Sequence, residues 1–410
     1  MTEHLYYRDS FLYEFDAEVV DTVVAADSRP GVLLDRTAFY PTSGGQAFDT
    51  GWIAGPNGAP KLRVAEVVER EDGEILHLLE SPTALEKGTR IHGLIDAERR
   101  RDHMQQHSGQ HVLSAAFVRL FAMPTVSFHM GGDYCSIDLD TKTLTAQQME
   151  AAEALANEVV VENRPVQIRF VTQAEARELG LRKLPPAERD ELRLVDVRDF
   201  DLTACGGTHV QSTGQIGCIL LRKTEKVRQG WRVEFVCGKR AIATARRDYG
   251  ILTEAAGALS SHMVDVPQQV RKMQEDLRAS RKAGEQLLAE IADLNAGTIL
   301  AETPETAGKK IVIHTFADRD LTFIKLLAQK MTRQAPNAVA LLGSTAGQPA
   351  LVFACSAGMP LDMGALMKET LAKLGGRGGG SKDMAQGGPQ QVEGMEPVLR
   401  ELGERLRTAG

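Results

Sequence analysis

The chain has 410 residues, of which 43% are hydrophobic and 25% are charged, values that are ordinary for a globular protein. This composition excludes a disordered tail, a collagen-like fibre and a small disulfide-linked scaffold, and the length is sufficient for two or three domains. The net charge is −7, from 48 basic and 55 acidic residues, so binding of a nucleic acid would require a locally basic surface.

The N-terminus and the cysteines indicate a reducing compartment. Residues 1–15 are polar and acidic and lack the apolar segment of a secretory signal, and no run of apolar residues is long enough to predict a membrane span. The five cysteines are odd in number and widely spaced. We therefore expect a cytoplasmic protein with no membrane partner and no disulfide framework.

Residues 1–95 have the pattern of a small β-barrel domain. Short runs in which polar and apolar residues alternate are separated by turns rich in Pro, Gly, Asn and Asp. These runs lie at 17–24, 31–35, 62–69 and 73–79. Such short strands with frequent turns are typical of a small barrel or sandwich.

Residues 96–250 are expected to form a second, α+β domain. Apolar spacing predicts a helix over 101–120, and a second helix over 145–162 begins with a Thr145–Gln148 capping-box pattern. Strands are expected at 134–139, 165–172, 193–197, 217–222 and 230–236.

The remaining sequence predicts a helical linker at 251–300 and a small α/β domain at 301–410. Between residues 266 and 294 apolar residues recur at spacings of four and three, which predicts a long helix that pairs with another helix. The partner helix could come from the same chain or from a second copy in a homodimer. In the last domain, strands are expected at 311–315, 338–342 and 350–355, and helices at 318–333, 361–374 and 389–407. The fold class is therefore α+β.

Two pairs of residues have the spacing of metal ligands. His107 and His111 share one face of the predicted helix, where two imidazoles one turn apart can reach the same ion. His103 lies a further turn away, and three ligands on one straight helix would span about 12 Å, too far for a single ion. The small residues between His107 and His111 favour that pair.

The second pair is Cys205 and His209, in the sequence ACGGTHV. Ligands four residues apart in a glycine-containing loop can wrap around an ion. Together the two pairs supply up to four nitrogen and sulfur ligands, a set that predicts one Zn²⁺ ion. The alternative is a pair of exposed helical histidines and an unrelated buried cysteine.

Several segments, in consistent order, resemble one family. HSGQH at 107–111 and CGGTH at 205–209 resemble the editing domain of alanyl-tRNA synthetase and its free-standing relatives, the AlaX trans-editing proteins. DRTAFYPTSGGQAFDTG at 35–51 and SFHMGGDYCSIDL at 127–139 resemble two further segments of that family. GGRGGGSKDMAQGG at 375–388 is similar to the glycine-rich element of the synthetase's C-terminal domain. Because the chain enters the β domain almost at once, the long-form AlaX arrangement is expected.

The resemblance implies zinc-dependent deacylation of mischarged tRNA(Ala), chiefly seryl-tRNA(Ala), with glycyl-tRNA(Ala) as a second substrate. Zinc can lower the pKa of a bound water or polarise a carbonyl. Four protein ligands would complete the tetrahedral coordination of the ion and leave no position for water, as in structural zinc sites. The sequence therefore leaves open whether zinc is directly catalytic or orients the substrate, and one ligand would have to be weak or displaceable for direct catalysis.

The resemblance also points to individual residues of the pocket. Thr37 is the leading candidate for a hydrogen bond to the serine hydroxyl, since a site built around a hydroxyl rejects the analogue that lacks it. Gln46 is a candidate for contact with the 3′-terminal adenosine, and Gly206 and Gly207 for close approach of the tRNA acceptor end. The alternatives are an ordinary strand threonine and residues that merely complete turns.

The glycine-rich segment is a candidate tRNA-binding loop. Successive backbone N–H groups can cradle a phosphate, and two cations flank them. The residues proposed for this contact are Arg377, Gly378, Gly379, Gly380 and Lys382. A flexible linker is the alternative.

Other functions remain compatible with these motifs. A zinc-dependent hydrolase of small esters would give comparable activity on free amino-acid esters, and a non-catalytic tRNA-binding module with structural zinc would bind without deacylation. Editing of a different tRNA is a third possibility, because the related threonyl-tRNA synthetase editing domain also carries both ligand pairs.

Overall fold

A computed structural model describes residues 2–25, 27–56, 60–82, 85–179, 181 and 191–408. The chain divides into two compact units, Met1–Glu254 and Ala255–Gly410. Within the described ranges the fold is mixed α and β, with eight α-helices and a closed six-stranded barrel. None of the helices in those ranges is long and apolar enough to cross a membrane.

The predicted barrel is confirmed as the N-terminal part of the first unit. Its strands alternate buried and exposed side chains, as in β2, where Phe15, Ala17 and Val19 point inward. The strands are β1 (Glu3–His4), β2 (Glu14–Val24), β3 (Pro30–Leu34), β4 (Arg36–Thr37), β5 (Gly51–Ala54), β6 (Leu62–Glu69), β7 (Ile75–Leu79) and β8 (Arg90–Ile95). The barrel closes in the order β2-β3-β7-β6-β5-β8, and β1 pairs in parallel with β4.

A buried ion pair fastens the first helix to the barrel. Helix α1 (Ala97–Phe121) begins at the N-cap Asp96, whose carboxylate accepts the N–H of Arg99. In the next position Arg100 is fully buried, and its Nη2 lies 2.5 Å from a carboxylate oxygen of the equally buried Asp49. The same guanidinium donates to the carbonyl oxygens of Ser10 and Ala38. The start of α1 is therefore fixed on three separate segments of the barrel region.

The rest of the first unit surrounds α1, which is buried over most of residues 103–117. The elements are β9 (Thr125–Met130), β10 (Cys135–Leu139), α2 (Ala146–Val161), β11 (Val166–Thr172), α3 (Gln173–Glu178), β12 (Glu191–Val197), β13 (Asp201–Ala204), β14 (Ile219–Val227), β15 (Gly230–Cys237) and α4 (Gly238–Ala258). Two antiparallel sheets result, in the orders β14-β15-β10-β9 and β11-β12-β13. The Thr145–Gln148 capping box is present at the start of α2.

The second unit is a six-stranded sheet with helices on both faces. Its elements are α5 (Val266–Glu302), β16 (Glu305–Thr306), β17 (Lys309–Phe316), α6 (Leu321–Gln334), β18 (Ala338–Ser344), β19 (Ala350–Cys355), α7 (Met363–Leu374), β20 (Gly376–Gly380), β21 (Met384–Pro389) and α8 (Met395–Thr408). The strand order is β16-β17-β18-β19-β21-β20, in which only β17 and β18 pair in parallel among the described strands. Helices α5 and α6 cover one face and α7 and α8 the other.

The predicted long helix is α5, and most of its apolar register is exposed. Met273, Leu277 and Leu287 are each more than half exposed, whereas Ala292 and Ala296 are buried against α6. Pairing of this exposed face with a second copy stays a prediction.

The glycine-rich segment forms a hairpin, which corrects the expectation of a loop. Strand β20 is the outermost strand of the sheet and pairs with β21. A Cβ on Gly378 would lie 2.5 Å from the Cα of Gly387 and 2.6 Å from a methyl carbon of Leu371 on α7. Glycine is therefore needed here for close packing. The sequence pattern suggested a loop because glycine is depleted in strands generally.

Candidate functional site

Four side chains converge at the junction of α1 and the loop that follows β13. The ligand atoms of His107, His111, Cys205 and His209 all lie within 4.8 Å of one another. The Sγ atom of Cys205 is 3.2 Å from Nε2 of His107 and 3.4 Å from Nε2 of His209. His103, one turn earlier on α1, is not part of this group. The structure thus brings together the two pairs that the sequence indicated.

Each of the three imidazoles is held from behind at Nδ1 by a different kind of group. The distances are 2.8 Å from His107 to Oε1 of Gln46, 3.4 Å from His111 to Oδ2 of Asp201, and 3.2 Å from His209 to Oγ of Ser108. Such outer partners fix the orientation of metal-binding histidines. They leave the Nε2 atoms of the three rings free to face an ion.

The electrostatics of this group favour a bound cation. Burial raises the pKa of the Cys205 thiol, but the three neighbouring imidazoles outweigh that effect and hold it well below its usual range. Burial lowers the pKa of His209 to about 3. At His111 burial also disfavours charge, yet the thiolate and Asp201 raise the pKa to about 9. A metal ion binding here would replace the proton on His111.

The donor set fits a metal ion. One thiolate and three imidazoles are the ligand types that tetrahedral Zn²⁺ prefers, and all four residues are at least half-buried. The described residues around them also supply the outer hydrogen bonds that such sites require. This group could therefore hold one divalent ion.

A cavity of about 640 Å³ opens beside the group. This volume lies within the roughly 300–1,000 Å³ that is typical of small-molecule sites. Three of the four candidate metal ligands line the cavity, together with residues of β9 and of the loop after β13. The barrel turn, which is the segment between β4 and β5 that contains Tyr40, Ser43 and Gly44, also lines it. The lining residues include His107, His111, Cys205, Tyr40, Ser43, Gly44, Phe128, Gly206 and Gly207. A small ester entering the cavity would reach the ligands directly.

The two glycines of the CGGTH loop have different roles. Both line the cavity. A Cβ on Gly207 would lie 2.2 Å from Cε1 of His107, so this glycine is required by the imidazole itself. A Cβ on Gly206 would meet the hydroxyl of Tyr7 at 3.6 Å, an ordinary contact. Gly206 is therefore not required by its neighbours, whereas Gly207 accommodates the His107 side chain. Close approach of the tRNA end to these glycines stays a prediction.

Gln46 lies behind His107. It is buried, its Nε2 donates to Oγ1 of Thr208 at 2.8 Å, and its Oε1 accepts the N–H of Thr208 at 3.1 Å. The amide of Gln46 therefore connects the barrel turn to the CGGTH loop and orients His107. Its predicted contact with the 3′-terminal adenosine stays a prediction.

Thr37 lies inside the barrel region and is not among the described residues that line the cavity. Burial lowers the pKa of His77 to about 4, so its ring is neutral, and its Nδ1–H donates to the carbonyl of Val32. Nε2 of His77 consequently accepts the Thr37 hydroxyl at 2.8 Å, and that oxygen accepts the N–H of Phe39. The hydroxyl proton is engaged, which differs from the expectation that it faces the pocket.

The selectivity role of Thr37 stays a prediction, and Thr37→Val tests it. The substitution removes the partner of His77 and of the Phe39 N–H, which should lower the free energy of unfolding by about 1–3 kcal/mol. Phe39 directly precedes the turn that carries Tyr40 and Ser43, two residues that line the cavity. Loss of the bond to its N–H should shift this turn, so we also expect the ratio of kcat/KM for seryl- over alanyl-tRNA(Ala) to decrease. Thr37→Ser, which retains the hydroxyl, is the control. A loss of stability with an unchanged ratio of kcat/KM values would show that Thr37 has only a structural role in the barrel interior.

The segment 216–250 contains nine of the chain's basic residues and is a candidate for a locally basic surface. Among the described residues, six cations of the segment 216–250 pair with carboxylates: Arg222, Lys223, Arg232, Lys239, Arg240 and Arg247. In the second unit, Arg377 and Lys382 are exposed at the β20–β21 hairpin. Gly378, Gly379 and Gly380 complete its outer strand.

Sequence comparison places these features in a known class of protein. Residues 2–99 match the family described as tRNA synthetases class II (A), and residues 192–233 match the second additional domain of threonyl and alanyl tRNA synthetases. The barrel, and the segment that carries Cys205 and His209, are thus similar to domains found in these synthetases.

Full-length similarity is more specific. The chain is 33% identical over 415 residues to the alanyl-tRNA editing protein AlaX-L of Pyrococcus horikoshii, covering 100% of this chain and 99% of that protein. It therefore belongs to the alanyl-tRNA editing protein family, and the resemblance indicated by the motifs is confirmed.

Two further similarities are partial. The chain is 33% identical over 407 residues to the alanine–tRNA ligase of Archaeoglobus fulgidus, of which it spans 43%. The crystal structure of the C-Ala domain from Aquifex aeolicus alanyl-tRNA synthetase matches 26% of this chain and 97% of that domain, with 20% identity and a TM-score of 0.24.

Proposed function

We propose that this protein is a trans-editing deacylase in the cytoplasm that hydrolyses the ester bond of mischarged tRNA(Ala). Water adds across the ester, giving the free amino acid and the free hydroxyl of the tRNA 3′ end. The observation that carries this proposal is the cavity lined by His107, His111 and Cys205 in a member of the alanyl-tRNA editing family.

We assign one Zn²⁺ ion to His107, His111, Cys205 and His209. When bound, zinc would either orient the ester or act as a Lewis acid, and the second role requires that one of these four ligands be weak or displaceable. Gln46, Ser108 and Asp201 hold the three imidazoles in place. His209 is not among the described residues lining the cavity, so the substrate approaches the ligand group from the side of the other three.

Seryl-tRNA(Ala) is the proposed main substrate and glycyl-tRNA(Ala) the second. Alanine is smaller than serine, so a pocket cannot exclude alanine by size. It can discriminate only through groups that the serine hydroxyl satisfies, and such a site can reject the analogue without the hydroxyl by about 10⁴-fold or more.

Deacylation of seryl-, glycyl- and alanyl-tRNA(Ala) by the full chain tests this proposal. We expect rapid release of serine and much slower release of glycine and of alanine, because neither of these carries the hydroxyl. Binding of the tRNA without deacylation would favour a non-catalytic module. Equal activity on a free serine ester would favour a small-ester hydrolase, and preference for a different tRNA would move the substrate outside the alanine system.

We also propose that the β20–β21 hairpin contacts tRNA phosphates through Arg377 and Lys382, with backbone N–H groups of Gly378, Gly379 and Gly380 beside them. Replacing both cations with alanine should weaken tRNA binding and reduce the slope of log affinity against log salt by about 1 for each cation. Fluorescence anisotropy at several salt concentrations measures this slope.

Arg400→Ala is the control for the hairpin experiment. Arg400 is an exposed cation of the same unit that pairs with Glu396 on α8, so its loss should leave the salt slope unchanged. Equal slopes for the double variant and the wild type would exclude the hairpin as a phosphate contact. A homodimer through the 266–294 part of α5 or through the C-terminal domain at 301–410 is a separate proposal, which the molecular mass from sedimentation equilibrium tests.

A further inference from the structure

We propose that Arg193 is a positioning residue that holds Cys205 in its metal-binding conformation. The inference rests on the proposed metal site and adds to it a residue that no motif indicated. Arg193 lies on β12, in the strand next to the segment that delivers Cys205.

Arg193 binds Cys205 at both ends of its backbone. The N–H of Cys205 donates to the carbonyl oxygen of Arg193 at 3.2 Å, and Nη1 of Arg193 donates to the carbonyl oxygen of Cys205 at 2.5 Å. The two peptide groups that flank the ligand are therefore fixed by the same residue. With both held, the direction of the Cα–Cβ bond of Cys205, and hence the position of its Sγ, has little freedom.

The same guanidinium connects the loop to the N-terminal turn. Its Nε donates to the carbonyl oxygen of Tyr7 at 2.9 Å, and its Cζ lies 5.5 Å from the centre of the Tyr7 ring. The hydroxyl of Tyr7 in turn borders Gly206, the residue after the ligand. Arg193 thus links three parts of the structure that meet at Cys205.

Packing alone does not account for an arginine at this position. Arg193 is only 9% exposed, it has no carboxylate partner among the described residues, and its Nη2 makes no hydrogen bond with them. Burial of a cation without a carboxylate partner is unfavourable, and an apolar side chain of similar length would fill the space at lower cost. Orienting Cys205 is a function that explains why the guanidinium of Arg193 is buried here despite its cost.

The effect of Arg193 is pre-organisation of the ligand loop. Two glycines follow Cys205, so the loop has many accessible conformations if its first residue is released. Gly207 must also donate its N–H to Sγ of Cys205, which lies 3.4 Å away. Loss of a group that orients a metal ligand typically weakens metal binding by about 10–100-fold.

The test compares Arg193→Met and Arg193→Lys with the wild type in the full chain. Zinc affinity is measured by competition with a chromogenic chelator, and the thiolate-to-metal absorption band is recorded after saturation with Co²⁺. We expect Arg193→Met to weaken zinc binding about 10–100-fold and to shift or weaken the cobalt band. Lysine has one donor nitrogen in place of the separate Nε and Nη1 atoms that reach the carbonyls of Tyr7 and Cys205, so it should restore only part of the affinity.

Arg164→Met is the matched control. Arg164 also donates to a backbone carbonyl, that of Arg198, and lies over an aromatic ring, that of Phe200. Arg164 makes no contact with the four candidate ligands in the described structure. The zinc affinity and cobalt band of Arg164→Met should therefore equal those of the wild type.

Unchanged zinc affinity and an unchanged cobalt band in Arg193→Met would overturn the inference, even if the thermal midpoint falls. If that variant does not fold, Arg193→Lys decides, and wild-type affinity in Arg193→Lys would overturn the inference. Absence of zinc binding in the wild type is a different result, because it would remove the proposed metal site itself.

Discussion

Replacing Cys205 with alanine should remove the metal ion and lower kcat/KM for seryl-tRNA(Ala) by about 10³-fold. Cys205 is the one thiolate in a group whose other members are imidazoles, and it lies within 3.4 Å of two of them. Metal ions contribute several kcal/mol to stabilisation of the transition state in such reactions, and about 4 kcal/mol corresponds to this rate change. Metal content by mass spectrometry and steady-state deacylation measure the two effects.

Cys218→Ala is the control, since Cys218 is a half-buried free cysteine outside the ligand group. It should retain both metal and activity. Treatment with a chelator should reduce wild-type activity to the level of Cys205→Ala, and added Zn²⁺ should restore only the wild type. Full activity in metal-free Cys205→Ala would contradict a role for the ion in deacylation.

The largest loss of stability is expected from Arg100→Met. Arg100 and Asp49 are both completely buried, and the substitution leaves the Asp49 carboxylate without its cation and two carbonyl groups without their donor. Removal of one partner of a buried ion pair costs about 3–5 kcal/mol because the remaining charge is uncompensated. Unfolding in urea, followed by circular dichroism, measures the change.

Arg29→Met gives the comparison for an exposed pair in the same unit. The Arg29 side chain is 40% exposed and faces Asp27 and Glu66 at the surface. We expect a change of at most about 1 kcal/mol for this substitution. Similar losses for Arg29→Met and Arg100→Met would show that burial of the Arg100–Asp49 pair has no special effect.

The four candidate metal ligands could be predicted from the sequence because the spacing within each pair is local. Residues four apart on a helix share a face whatever the rest of the fold does, and two residues four apart in a short loop are near enough in the chain to reach one ion. The outer partners could not be predicted in this way. Gln46 is 61 residues from His107, and Asp201 is 90 residues from His111, so only the tertiary fold brings each pair together.

The fold was predictable where alternation or helical spacing was strong, as in β2, α1 and α5. Thr37 and Arg193 show the limit of such patterns. The neighbour of Thr37 is His77, which the closure of the barrel places opposite it, and no spacing in the sequence indicates that contact. Arg193 looks like an ordinary strand residue, and its role becomes visible only through its bonds to the backbone of Cys205.

The long separation between the two ligand pairs has a consequence for biosynthesis. The last ligand, His209, follows the first by about a hundred residues, and Gln46 must already be in place beneath His107. A ribosome that has translated only the barrel and α1 has therefore exposed two imidazoles and no thiolate. The complete set of four candidate ligands exists only once the strand and loop carrying Cys205 have emerged and docked. An ion held by all four could therefore bind only after the barrel, α1 and the β12–β13 segment have come together.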